Sequence, residues 1–201
     1  MSDAATNSDD VGSPAWREAV IADTVDWLEK AVIGLGLCPF ARPVHAQQRI
    51  RFAVTTARDI DRLAEVLQTE LERLAETDPA EIETTLLIHP LALEDFLRFN
   101  DFLEVADEIV DEMELTGVLQ VASFHPRYQF EGTAPDDMGN WTNRSPYATL
   151  HLLREESIER AVAAHPDTER IFQTNIETLR RLGREGWDKL GLGATRTRRR
   201  T

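Results

Sequence analysis

A chain of 201 residues, 42% of them hydrophobic and 29% charged, has the composition of one globular domain. Its formal net charge of −14 excludes broad binding to nucleic acid, which requires a cationic surface, and disfavours adhesion to an anionic membrane. No apolar run approaches the roughly 18 to 20 residues that span a bilayer. The one cysteine, Cys38, cannot form an internal disulfide, so we expect a soluble protein in the cytoplasm.

The two ends of the chain differ from its middle. Residues 1–13 are acidic and rich in small side chains, and we expect them to form a disordered tail. Residues 193–201 end in Arg196, Arg198, Arg199 and Arg200, which predicts a basic flexible tail, although such a run could also tether RNA or an acidic partner. Residues 14–192 contain no repeat and no linker, so they are predicted to form a single domain.

Helix signals occur early in the chain. Ser13 followed by Pro14 is a typical helix start, because the hydroxyl can cap free amides and proline already has a helical φ. Glycines at positions 34 and 36 predict the end of this first helix. Thr56 with Asp59 three residues later resembles a capping box. The apolar residues that follow recur with helical spacing, at Ile60, Leu63, Ala64, Leu67, Leu71 and Leu74.

Strand patterns alternate with helix patterns after the first helix. Polar and apolar residues alternate over residues 49–55, and short apolar runs cover residues 84–88 and 118–124. The order strand, helix, strand, helix, strand predicts an α/β domain with a mostly parallel sheet. A fourth strand is predicted at residues 148–154. We therefore expect about four strands covered by helices, with an extra N-terminal helix and C-terminal helices.

The connection between the third and fourth strands has no regular period. About twenty structureless residues are uncommon inside a compact domain and are usually either functional or disordered. This segment contains aromatic side chains that disordered segments lack, at Tyr128, Phe130, Trp141 and Tyr147. We therefore predict that the functional surface centres on this loop, with a loop that merely covers the edge of the sheet as the alternative.

The predicted topology brings several polar residues to one edge of the sheet. His89 and His125 each follow a strand, and parallel strands end at the same edge, where open α/β sheets bind ligands. The loop after His125 leads into a strand that contains His151. The residues expected around one mouth are therefore His89, His125, Asn143, Arg144, His151 and Arg154.

Three interpretations of the histidines remain open. Imidazoles at His89, His125 and His151 could hold a divalent metal with an open position for water, although no compact zinc motif is present. Alternatively, a histidine could act as acid or base on a bound anion that arginine side chains grip. In the third interpretation each His-Pro pair is a strand-ending turn whose imidazole binds a carbonyl, and His151 is partly buried.

Cys38 is followed by proline and could begin a helical turn. A thiol at a helix N-terminus has a lowered pKa and becomes a nucleophile, and a pair with His125 or His151 is conceivable. The alternative is a buried and inert cysteine. No glycine-rich phosphate loop of the common nucleotide-binding kinds occurs in the sequence.

Several segments resemble one bacterial family. The phrases GLGLCPFARPV, IHPLALEDFLRFNDFLEVAD, FHPRYQFEG and NRSPYATLHLLRE resemble the family of domain of unknown function 1415, over roughly residues 16–190. The resemblance implies no particular activity and assigns no catalytic residue. It gives more weight to Cys38, and it adds Asn100 and Asp101 as candidate site residues.

These observations support three hypotheses about function. The first is an enzyme for a small anionic molecule, with His125 or His151 as acid or base and Cys38 as a further catalytic candidate. Its binding residues would be Arg127, Asn143, Arg144, Arg154 and Asn100. The second hypothesis is a non-catalytic module that binds a metal or another ligand. The third is a protein–protein adaptor that uses the acidic surface and the exposed part of the aromatic loop.

Overall fold

The structure is a computed structural model that describes residues 11–164 and 168–193 of the chain. A π-helical segment, Leu28–Ile33, continues the first helix, and a short 3-10 helix, Met138–Asn143, lies in the long loop. The other elements are α1 (Pro14–Trp27), α2 (Ala41–Ala46), β1 (Ile50–Val54), α3 (Ile60–Glu76), β2 (Thr84–Ile88), α4 (Phe96–Glu112), β3 (Leu119–Phe124), β4 (Thr149–Arg154), α5 (Glu155–Ala164) and α6 (Thr168–Lys189).

Side-chain caps determine where the first two long helices begin. The Ser13 hydroxyl accepts a hydrogen bond from the Trp16 amide at 3.1 Å, so the predicted start of α1 is confirmed. The predicted cap of α3 is wrong by three residues. Asp59, and not Thr56, accepts the Arg62 amide at 2.8 Å, because residues 55–58 form an irregular connection between β1 and the helix.

The four strands form one sheet in the order β1-β2-β4-β3. β1 and β2 are parallel, whereas β4 lies antiparallel between β2 and β3. The expected α/β domain with about four strands is therefore observed, but the expectation of a mostly parallel sheet is wrong. The long loop reverses the direction of the chain after β3. β4 then lies between β2 and β3, which run in the same direction as each other.

Helices cover both faces of the sheet. The largest apolar cluster lies on the face of α3 and α4 and includes Leu67, Phe99 and Leu152. On the opposite face Val20 of α1 packs against Leu86 and Ile88 of β2. The side chain of Asn175 on α6 donates to the carbonyl of Leu37 at 2.7 Å, which fastens α6 beside the segment that follows α1.

Most of the two predicted tails lies outside the described residues, at residues 1–10 and 194–201. Gly12 belongs to the start of α1, because its carbonyl accepts a hydrogen bond from Arg17 Nε at 3.2 Å. Among the described residues we find no helix with the length and hydropathy needed to cross a membrane.

Candidate functional site

His89 and His125 lie at the same edge of the sheet, as predicted. β2 and β3 run in the same direction, and each histidine immediately follows its strand. The start of β4 lies between them, and the His89 amide donates to the carbonyl of Ala148 at 3.0 Å. Both residues are buried.

The two imidazoles pack on either side of one phenylalanine. The centroid of the Phe99 ring lies 5.6 Å from the centroid of the His89 ring and 5.0 Å from that of the His125 ring, and both pairs are stacked. His89 Nδ1 lies 3.2 Å from the carbonyl oxygen of Ala92, and His125 Nε2 lies 3.2 Å from that of Leu93. Both histidines therefore donate to the turn between β2 and α4, in which Leu93 adopts a positive φ of 55°.

Both imidazoles are held in the neutral form. The Arg127 amide donates to His125 Nδ1 at 3.0 Å, so this nitrogen carries a lone pair and not a proton. Burial lowers the pKa of His89 and of His125 from 6.5 to about 4. His89 Nε2 is buried and has no hydrogen-bond partner among the described residues. The prediction that a strand-ending histidine binds a carbonyl is therefore confirmed for both residues.

The polar residues of the long loop mainly bind backbone carbonyls. Arg127 donates to the carbonyl of Glu94. Asn143 Nδ2 donates to the carbonyl of Ser123 at 3.3 Å, and Arg144 donates to the carbonyls of Tyr128 and Pro135 at 3.1 and 2.7 Å. The guanidinium of Arg144 also lies 3.7 Å from the ring centroid of Trp141. These contacts hold the loop against the sheet.

Sequence reasoning left Asn140 out of the candidate site residues, although it anchors this loop. Its side chain is buried and accepts hydrogen bonds from the Phe130 amide and the Thr133 hydroxyl at 3.0 and 2.9 Å. Its amide group donates to the carbonyl of Ala134 at 2.8 Å. A buried asparagine with three partners is a structural residue, because each unpaired polar atom would cost free energy.

Arg154 does not lie at the mouth that the sequence predicts. It is at the far end of β4, where it pairs with Leu119 at the start of β3. Its guanidinium is buried and donates to three backbone carbonyls near the C-terminus of α3, those of Leu74, Thr77 and Ile82. The expected position is wrong because β4 runs antiparallel to its neighbours, so its last residue is at the opposite edge from His89 and His125.

His151 lies on the other face of the sheet from the first two histidines. Its cross-strand neighbour Leu86 belongs to the apolar cluster around Val20 of α1, whereas His89 and His125 pack on Phe99 of α4. His151 Nε2 donates to the Thr84 hydroxyl at 2.8 Å, since that hydroxyl itself donates to the carbonyl of Leu152. Burial lowers the pKa of His151 from 6.5 to about 4.

The predicted set of three metal-binding histidines does not form one site. Because His151 projects from the opposite face, the intervening sheet separates its ring from those of His89 and His125. Over residues 11–164 and 168–193 there is no group of three or more histidine, cysteine, aspartate or glutamate side chains placed to hold a metal ion.

Cys38 and Asn100 lie apart from the paired histidines. Cys38 packs on the apolar cluster around Trp27, and burial raises the pKa of its thiol, although the Phe40 and Ala41 amides act in the opposite direction. A raised pKa is the reverse of what an activated nucleophile at a helix N-terminus requires. Asn100 is exposed on α4, one residue after the buried Phe99.

A separate cleft contains arginines that the sequence did not single out. It has a volume of about 590 Å³ and runs along the outer edge of β1, between the first turns of α1 and the first half of α3. We call it the arginine cleft, after the charged residues that line it: Arg17, Arg51, Arg58, Arg62, Asp59 and Glu70. The periodicity of each helix or strand could predict which of its faces carries an arginine. It could not predict that α1, β1 and α3 bring these arginines together in one cleft.

The arginines of this cleft differ in their bonding. Arg17 donates to the carbonyls of Gly12 and Val54, so no acid neutralises it there. Arg51 makes two hydrogen bonds to the buried carboxylate of Glu70, at 2.6 and 2.9 Å. Arg58 is exposed, and its guanidinium makes no hydrogen bond or ion pair with the described residues. Arg62 pairs with Glu65 at the surface.

The described residues form one four-stranded mixed sheet covered by helices, and the family comparison agrees with the resemblance seen in the sequence. The model of the family described as "Protein of unknown function (DUF1415)" matches residues 19–189. The chain belongs to this family. No curated protein and no solved structure matches the chain.

Proposed function

We propose that this protein binds a ligand that presents carboxylate or phosphate groups to the arginine cleft. The observation that carries the proposal is a local excess of positive charge. Four arginines and two acidic residues line one cleft, in a chain whose formal net charge is −14. Such a cleft attracts an anion although the rest of the surface repels it, because the charges nearest the ligand are screened least.

Arg58 and Arg17 are the residues that we assign to direct contact with the anion. Arg58 is exposed and makes no ion pair with the described residues, so its guanidinium can form paired hydrogen bonds to a carboxylate or phosphate. The positive charge of Arg17 is not offset by a carboxylate there, because the hydrogen bonds of its guanidinium go to backbone carbonyls.

The other two arginines have different roles in this proposal. The bidentate bond to Glu70 holds Arg51 in place and offsets its charge, so Arg51 shapes the wall of the cleft. The pair between Arg62 and Glu65 is exposed, with side-chain accessibilities of 64% and 62%, and such pairs contribute little stability. Arg62 can therefore exchange Glu65 for a ligand at a small cost in free energy.

The geometry supports binding better than acid–base catalysis. No histidine or cysteine is among the residues that line the cleft. His89, His125 and His151 have pKa values near 4, whereas an acid–base catalyst at neutral pH works best with a pKa close to 7. His125 also uses both ring nitrogens to hold the loop and the turn together.

Replacing Arg58 by glutamate should weaken the binding of citrate or inorganic phosphate by about tenfold or more, because a charge-assisted hydrogen bond contributes roughly 1.5–3 kcal/mol. Titration calorimetry at low ionic strength measures this affinity. The matched control is Arg98→Glu, which makes the same change of charge at an exposed position on α4, outside the cleft. Equal effects of the two substitutions would show that only net charge matters and would refute the proposed site.

A further inference from the structure

The backbone of β1 has one side that pairs with β2 and one side that does not. The Arg49 carbonyl accepts from Thr84, and the Thr55 amide donates to Ile88, so the odd-numbered residues of this segment bond to β2. Residues alternate along a parallel pair. The amides and carbonyls of Ile50, Phe52 and Val54 therefore point away from β2, towards the outer edge of the sheet.

This outer edge coincides with the arginine cleft. Phe52 and Val54 line the cleft, and the guanidinium of Arg17 reaches the outward carbonyl of Val54. No hydrogen bond from the described residues reaches the outward amide or carbonyl of Phe52. The cleft thus places unpaired main-chain donors and acceptors beside cationic side chains, and it borders β1 from Arg51 to Val54.

Two walls border the edge strand. Arg17 and Ile21 of α1 form one wall, and Val66 and Glu70 of α3 stand on the other side. A strand laid along β1 would alternate its side chains between these walls. Acidic side chains at alternate positions all face one wall, and on the α3 side they would meet Arg58 and Arg62 near the start of that helix.

We propose that the ligand of the arginine cleft is an extended acidic peptide that adds to the outer edge of β1 as a fifth strand. This inference rests on the proposed anion-binding function and names its partner. Addition of a strand to a sheet edge derives affinity from main-chain hydrogen bonds and selectivity from alternate side chains. A free carboxylate or phosphate would use the arginines and leave the outward groups of Phe52 unused.

A nucleic acid does not fit this edge as well as a peptide does. The arginine cleft offers four arginines beside one strand edge, in a chain of net charge −14, whereas nucleic acid binding needs a stripe of positive charge along many phosphates. A peptide strand also supplies alternating amides and carbonyls that match those of Ile50 and Phe52. The charge and the main-chain pattern together favour an acidic polypeptide segment.

The test uses the pentapeptide acetyl-Val-Glu-Val-Glu-Val-amide with the full chain. We expect it to bind more tightly than its lysine counterpart, acetyl-Val-Lys-Val-Lys-Val-amide, by about tenfold or more. Amide hydrogen exchange, read residue by residue by NMR, should slow at Phe52 and Val54 when the glutamate peptide is added. Arg58→Glu should weaken this peptide and citrate alike, and Arg98→Glu should weaken neither.

Backbone methylation of the peptide separates the two proposals. One version of the peptide is methylated on the amides of residues 2 and 4, the other on those of residues 1, 3 and 5. If the peptide adds as a strand, one version should lose binding and the other should keep it, because only one edge of the peptide pairs with β1. Equal binding of both versions, with citrate still bound, would overturn strand addition and leave anion binding standing.

Two further outcomes would contradict the inference. If neither citrate nor the glutamate peptide binds, the proposed function fails together with this one. If the Phe52 and Val54 amides are already protected without peptide, to an extent that rises with protein concentration, a second copy of the chain occupies the edge instead. Protection that depends on the glutamate peptide alone supports the proposal.

Discussion

Replacing Arg154 by methionine should lower the free energy of unfolding by about 4 kcal/mol, because buried carbonyls lose charge-assisted hydrogen bonds of roughly 1.5–3 kcal/mol each. The guanidinium donates to Leu74 and Thr77 at 2.6 Å and to Ile82 at 3.0 Å, and it is the only side chain that joins the end of α3 to β4 by hydrogen bonds within the described residues. Methionine keeps the unbranched stem of the side chain and removes the guanidinium, so the change tests mainly the lost hydrogen bonds. Urea unfolding measures the effect.

The matched control for Arg154 is Arg160→Met. Arg160 is 57% exposed and pairs with the exposed Glu156, and such ion pairs contribute about 1 kcal/mol or less. Its other partner, the buried Glu83, lies 3.4 Å away and keeps a closer ion pair with Arg49, at 2.8 Å, when Arg160 is replaced. If Arg154→Met and Arg160→Met cost the same free energy, Arg154 does not support the fold in the way that its contacts indicate. Arg154→Met should also leave citrate binding unchanged, because Arg154 does not line the arginine cleft.

The stability of the protein should fall steeply as the pH drops from about 6.5 towards 4. His89, His125 and His151 have pKa values near 4 in the folded chain, against 6.5 for a free histidine, because burial disfavours their charged forms. Between these values the unfolded chain binds more protons than the folded chain does. The free energy of unfolding therefore rises with pH over this window, and the stabilising effect is complete above about pH 6.5.

The size of this effect follows from the two pKa values. A histidine whose pKa falls from 6.5 to about 4 on folding should contribute roughly 3 kcal/mol of stability at pH 7 that is lost by about pH 4. His125→Gln should reduce the slope of the unfolding free energy against pH near pH 5 by the amount that corresponds to about one bound proton. Urea unfolding at a series of pH values measures this slope. The control is His45→Gln, since His45 lies at the surface beside Glu29. An unchanged slope for His125→Gln would contradict neutral burial.

The sequence predicted the paired histidines well because their behaviour is local. A histidine before proline at the end of a strand has a turn carbonyl within reach, and the structure confirms this for Ala92 and Leu93. The direction of β2 and β3 was predictable in the same way, from the strand–helix–strand order. These features depend on neighbours that are close along the chain.

The position of β4 was not predictable from its own residues. Residues 149–154 have an apolar strand pattern that suits an edge or a central place, and a parallel or an antiparallel pairing. The pairing depends on how the long loop folds, and that loop is held by Asn140 and Arg144, whose partners lie 6 to 16 residues earlier in the same loop. The misplacement of Arg154 and His151 in the prediction follows directly from this uncertainty.

The arginine cleft was missed for a related reason. Arg17, Arg51 and Arg58 belong to α1, β1 and the turn before α3, and each looks like an ordinary solvated charge within its own element. Their meeting depends on α1 passing beside the outer edge of β1, where Arg17 reaches the Val54 carbonyl. The only usable signal was the high density of arginine in residues 49–62 of an acidic chain.

We expect ligands to reach this protein at the edge of β1 and not at the long loop. The most direct measurement is an NMR titration of the full chain with citrate, following the backbone amide shifts residue by residue. We predict that the largest shifts occur at Val54, Arg58 and their neighbours in the arginine cleft. The amide signals of the long loop should remain visible and nearly unshifted when the protein is saturated with citrate. Shifts confined to residues 125–148 would contradict the claim and would return the function to the loop and its histidines.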